Sequence, residues 1–206
     1  MLKKLRGTGG FTLIEIVIVL AIIAVLAGIL APTLIGYVGS SRVRKAEADV
    51  RAIAGAVGGA YADMGHWPLW ASGSSTTAGA SKYEILLSSD GDEPDNSGLT
   101  GDDKWDTTTH PDDDTLDDQL INNAPSYTTS TSARRRWRGP YLEKVLADPW
   151  GSKYLVNVEW LQPANETGQK PAFALSAGPN KVVETEFDQA GPGITVGGDD
   201  IVFRIK

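Results

Sequence analysis

Gly10-Phe11-Thr12-Leu13-Ile14-Glu15 opens a run that stays almost wholly apolar as far as Ile35. A short basic head, Lys3, Lys4 and Arg6, precedes it. The stretch from Ile16 to Ile35 has about the 20 residues that a helix needs to cross a bilayer core. Its Ile, Val and Leu residues each favour insertion by a few tenths of a kcal/mol, and that sum outweighs one acid placed near the end of the span. The acid is Glu15, and a carboxylate in such a run needs a reason. In a secretory signal the small residues of the cleavage site follow the apolar run. Here Gly9 and Gly10 come before it, so a cut after Gly10 removes only the basic head and leaves the apolar segment in place.

Pro32 falls late in the run, where neighbouring helices can compensate for its missing donor. Beyond it, Val43, Ala46, Val50, Ile53, Val57, Tyr61 and Met64 recur at spacings of three and four, which is one face of an amphipathic helix. Arg42, Arg44, Lys45, Glu47, Asp49 and Arg51 lie off that stripe. The pattern predicts one helix from Phe11 to about Met64, with Gly36, Gly39 and Gly55 as weak points, on the order of 80 Å long. Its first half is apolar all round and its second half requires a globular partner. Charge does not orient the span, because basic residues flank it on both sides.

The 206 residues allow one soluble domain besides the apolar helix, and 41% hydrophobic residues suffice for a core. With no cysteine there is no disulfide and no thiolate site. A net charge of -7 argues against a nucleic-acid partner. Twelve of the acids lie between Asp90 and Asp118, against a single lysine there. Pro94, Pro111 and several glycines break this block, which reads as a solvated, partly mobile loop docked somewhere through Trp105. Its acids are oxygen ligands of the kind calcium takes, without EF-hand spacing. The basic run Arg134-Arg135-Arg136-Trp137-Arg138 is expected to pair with this block, within or between subunits.

Gly65-His66-Trp67-Pro68 ends the long helix. Ala71 to Ser81 reads as a loop and Lys82 to Ser88 as a short helix against the core. Tyr154 to Trp160, Ala172 to Ser176 and Ile201 to Ile205 alternate as strands, joined by loops too short for crossover helices. The predicted fold is α+β: a long N-terminal helix packed on a small C-terminal antiparallel sheet. No nucleophile elbow, phosphate-binding glycine loop or zinc-protease motif is present, and the two histidines sit apart in loops, so no enzyme activity is expected. Asn165-Glu166-Thr167 fits a glycosylation sequon of a length that occurs often by chance.

The leader, Gly10-Phe11-Thr12-Leu13-Ile14-Glu15 and the apolar run together resemble the N-terminus of type IV pilins and pseudopilins. Arg138-Gly139-Pro140-Tyr141-Leu142, Asp148-Pro149-Trp150-Gly151 with Tyr154, and Ser176-Ala177-Gly178 resemble the major pseudopilin of type II secretion systems. The resemblance implies cleavage between Gly10 and Phe11 by a prepilin peptidase and N-methylation of Phe11. It also implies a leader at residues 1–10, a filament-core helix at 11–35 and its amphipathic continuation at 36–64. A variable region at 65–137 and a sheet region at 138–206 follow. A single-pass bacterial inner-membrane protein with a periplasmic domain is expected, polymerising with itself and meeting minor pseudopilins and an assembly platform. Opposite charges offset each other's desolvation in a low-dielectric setting, so Glu15 is expected to pair with a neighbour's Phe11 amine. The family's calcium loop maps onto Asp199, Asp200 and Asn180, with asparagine standing where the family has aspartate and Glu184, Glu186 and Asp188 nearby. A surface pilus subunit and a membrane-anchored calcium-dependent binding domain are the alternatives.

Overall fold

A computed structural model of the chain describes residues 10–71, 82–162 and 170–206, with backbone alone at 32–35. The basic head, most of the loop expected over Ala71 to Ser81 and the Asn165 sequon lie outside the described residues. The chain divides into two compact units, Met1–Ser41 and Arg42–Lys206. The helix α1 (Leu13–Met64) starts in the first and ends in the second, and its assignment passes through Pro32 and the glycines without a break.

In the first unit the helix is apolar on every side. Leu13, Ile18, Ile22 and Leu26 are each more than half exposed, and the segment is long and apolar enough to cross a membrane. A helix that is hydrophobic all round belongs in lipid or in a packed core.

In the second unit α1 buries the expected stripe. Ala46, Val50, Ile53, Val57 and Met64 are buried, and Ala60 joins them. Tyr61, expected on the stripe, is 42% exposed and stacks on Trp67 at 4.2 Å. Ala60 keeps the three-and-four spacing between Val57 and Met64, and the tyrosine falls one step round the helix. The helix ends at Gly65, whose φ of +75° suits glycine and whose N–H bonds Tyr61 O at 2.7 Å.

Five strands form one sheet: β1 (Ile85–Leu87), β2 (Asp113–Thr115), β3 (Leu155–Asn157), β4 (Phe173–Ser176) and β5 (Ile201–Arg204). Their order is β2-β1-β3-β4-β5, with β2 parallel to β1 and the other neighbours antiparallel. The three expected strands are β3, β4 and β5. The first is shorter than its alternation suggested, because Val158 takes a helical conformation and opens a 3-10 turn over Glu159–Leu161. Lys82 to Ser88 is not a helix but carries β1. A short apolar run such as Ile85-Leu86-Leu87 fits a doubly buried strand or a helix equally well by periodicity.

The sheet is covered on both faces. Leu86, Val156 and Ala174 pack in one cluster with Val50 and Val57 of α1. Ile85, Leu87, Leu155, Phe173 and Leu175 point the other way, into a cluster with Trp105, Val183 and Phe187. Trp105 belongs to the acidic block, which therefore forms the third layer of the unit rather than a solvated loop. Its ring meets Phe173 and Phe187 edge-on, at 5.4 and 4.9 Å, and its Nε1 donates to Thr185 O at 2.7 Å. The block also supplies β2 and buries Leu116. Asn157, buried between these layers, is fully used: Oδ1 accepts from Phe173 N, and Nδ2 donates to Pro171 O and Phe187 O.

The arginine run does not reach the acidic block within the chain. Arg138 lies 3.6 Å from Asp63, Arg135 donates to Gly65 O, and Arg136 donates to Thr131 O and Ala133 O. Asp63 and Gly65 close α1, and Arg136 N is fixed there too, to Asp63 O at 3.1 Å.

Replacing Trp105 with alanine removes a ring that the docked third layer closes around. Such truncations cost about 3–5 kcal/mol when the site cannot collapse. Chemical denaturation of the Trp105→Ala chain is expected to show a loss in that range, against a loss near zero were the block a solvated loop.

Candidate functional site

Two regions carry the residues singled out in the sequence. The first is the start of α1. Phe11 is 84% exposed, and a side chain added at Gly10 would meet nothing within 4 Å among the described residues. Thr12 and Glu15 form a reciprocal cap. The Thr12 N–H and the Thr12 hydroxyl both donate to Glu15 Oε2 at 2.8 Å, and Glu15 N donates back to Thr12 Oγ1 at 3.3 Å. This is the capping box, in which threonine at the N-cap and glutamate three residues on satisfy two orphan donors together. The Thr-x-x-Glu spacing of this box stands in the sequence. Both bonds fall on Oε2, so Oε1 stays without a partner among the described residues.

The second region is the loop before β5. Asn180, Glu184 and Asp199 come together there. Asn180 donates from its backbone N to Asp199 Oδ2 at 3.2 Å and from Nδ2 to Glu184 Oε2 at 3.1 Å, while its Oδ1 accepts from Val182 N at 2.7 Å. Gly178 and Gly198 permit this closeness. Both have positive φ, and a Cβ would strike Asp199 O at the first and the Glu184 carboxylate at the second. Asp200 is turned inward. Its Oδ2 accepts from Glu184 N at 2.9 Å and Thr185 N at 2.7 Å, whereas its Oδ1 is buried with no partner. Burial raises its pKa despite these bonds. Glu186 makes no bond to this network among the described residues, and Asp188 is drawn away to Lys170.

The donors here are all oxygens, which suits a hard cation, and the orphaned Asp200 Oδ1 is the atom such an ion would satisfy. Among the described residues no three His, Cys, Asp or Glu side chains are gathered as a metal-holding group. An ion here would therefore draw on main-chain carbonyls as well as on Asp199, Asp200 and the Asn180 side chain.

His110 sits in a loop, as the sequence suggests, but its side chain is buried. It stacks on Phe187 at 3.9 Å, and its Nδ1 lies 3.1 Å from Glu84 Oε2. The sequence held no periodic signal that would have revealed this.

Residues 5–31 match the prokaryotic N-terminal methylation motif, and residues 104–189 match the type II secretion system protein G family. Type II secretion system core protein G of Escherichia coli (strain K12) is 28% identical over 188 residues, covering 90% of this chain and 92% of that one. Fimbrial protein EcpC of Eikenella corrodens is 44% identical over 68 residues, 33% of this chain and 43% of its own length, so the chain spans under half of that relative. No solved structure matches significantly. The chain belongs to the type IV pilin-like family. Within it the chain is similar to protein G of type II secretion systems.

Proposed function

We propose that this chain is the building subunit of a periplasmic pseudopilus that works in protein export. The methylation motif, which runs from the basic head into an exposed, all-round apolar helix, carries this reading. The helix anchors the precursor in the inner membrane with the second unit in the periplasm. A prepilin peptidase cuts between Gly10 and Phe11, and Phe11 becomes a methylated N-terminus. The apolar helices then leave the lipid and bury against one another, exchanging one low-dielectric surrounding for another.

Glu15 makes that exchange specific. Oε2 keeps its own helix capped, and Oε1 is available to the cationic amine of a neighbour's Phe11. The pair sets the axial register of successive subunits, because each charge is costly in an apolar core without the other. Minor pseudopilins and an inner-membrane assembly platform are the further partners of this reading. A surface fibre is a second reading, favoured by the match to a fimbrial protein. Long extracellular fibres seen by imaging would select it, and a short periplasmic filament selects the first.

Calcium is the ion proposed for the loop before β5, held by Asp199 and Asp200 with the Asn180 side-chain oxygen. It would tie residues on either side of a long loop together where there is no disulfide to do so.

Two measurements follow. Mass spectrometry of the chain co-expressed with a prepilin peptidase is expected to find a methylated N-terminus at Phe11; a chain still starting at Met1 would sink the processing claim. Melting the full chain in detergent with calcium and then with chelator is expected to show a higher midpoint with calcium. Asp200→Ala should abolish the difference, and equal midpoints in the unaltered chain would remove calcium from the account.

A further inference from the structure

Two opposite charge patches remain unmatched in the second unit. Arg134, Arg135 and Arg136 reach no carboxylate among the described residues, and their recorded bonds run to main-chain carbonyls. Arg134 and Arg135 are exposed. In the acidic block only Glu93 and Asp106 meet a cation among the described residues, Lys153 at 3.7 Å and Lys104 at 3.9 Å. Asp112 and Asp113 meet none. Asp113 lies on β2 and Asp112 directly precedes it, and β2 is the outermost strand of the sheet among the described residues.

Within one copy no ion pair joins the two patches among the described residues. The arginines are fastened to the C-terminal end of α1 through Asp63 and Gly65. The aspartates are fixed by strand pairing, with β2 in register along β1 and Asp112 O accepting from Glu84 N at 2.7 Å.

We infer that the Arg134–Arg138 segment of one copy docks on the Asp112–Asp113 edge of a second copy, as a lateral contact between globular units. The inference rests on the filament reading and adds a contact outside the apolar helices. It joins two different patches and is therefore heterologous, the type of contact that propagates into open helical assemblies instead of closing a dimer. Repeated like charges at both patches favour this pairing and oppose contact of either patch with its own kind. Arginine suits the task because its planar fork binds carboxylates two bonds at a time. The contact also protects an exposed sheet edge, which aspartates already shield from indiscriminate strand pairing.

The natural chain has no cysteine, so introduced thiols report without background. One full-length copy carries Arg134→Cys, and a second, differently tagged copy carries Asp112→Cys. Both are expressed in cells holding a prepilin peptidase and a secretion assembly platform, then treated with a short bis-maleimide. The mixed dimer is expected at about fivefold the yield of a control in which exposed Ala190→Cys replaces Asp112→Cys, and it should weaken in about 0.5 M salt. A mixed dimer no more abundant than the control overturns the contact. Sedimentation of the same samples reads the filament separately. Pelleted filaments without the mixed dimer overturn this contact alone. The mixed dimer without pelleted filaments keeps the contact and overturns the filament reading, and the absence of both overturns both.

Discussion

The structure depends on one helix meeting two surroundings. Through its first half, α1 offers apolar side chains in every direction, so only lipid or other such helices can surround it. Through its second half the same helix narrows to the stripe Ala46, Val50, Ile53, Val57, Ala60 and Met64, and that stripe is buried against the sheet. Everything in the second unit follows from supplying that partner. Leu86, Val156 and Ala174 point toward α1, and Tyr154 fixes the contact with a hydrogen bond to Asp49 at 2.7 Å.

The opposite sheet face creates a second demand. Strands in contact with the helix on one side leave Ile85, Leu155, Phe173 and Leu175 on the other, and water is a poor neighbour for four such residues. The acidic block meets this demand together with the loop that carries Val183 and Phe187, lending Trp105 while keeping most of its carboxylates toward the surface. The block is thus both core and coat. Its exposed aspartates give one edge of the unit a negative character that the arginine run beyond α1 complements.

Much of this was legible from residues alone. The apolar run, the stripe and the alternation at Val156, Phe173 and Phe203 are periodic signals, and periodicity survives without tertiary knowledge. The family followed from the grouping of leader, glycine and run. What was hidden depends on contacts distant in sequence. Ile85-Leu86-Leu87 has too few residues to declare a period, so its strand character came only from pairing with Leu155 to Asn157. Composition made the acidic block look solvated, because twelve acids outweigh one tryptophan in any average, although the tryptophan decides where the block lies. The Asn180 loop was legible as a set of oxygens. The burial that leaves Asp200 Oδ1 unsatisfied was not, since it depends on how Glu184 and Thr185 fold over it.

Glu15 joins the local and the collective roles of the helix. As a cap it serves one chain; in the proposed filament it would serve the next as a counter-charge. Glu15→Ala separates them, because a lost cap frays one helical turn whereas a lost counter-charge leaves every incoming Phe11 amine unpaired in the apolar core. The decisive measurement is the amount of filament sheared from cells and sedimented, with membrane insertion and the Phe11 terminus checked in the same preparation. Glu15→Ala subunits are expected to be inserted and processed yet absent from the filament pellet. Filaments formed by Glu15→Ala subunits in normal amount would contradict assembly through this charge pair.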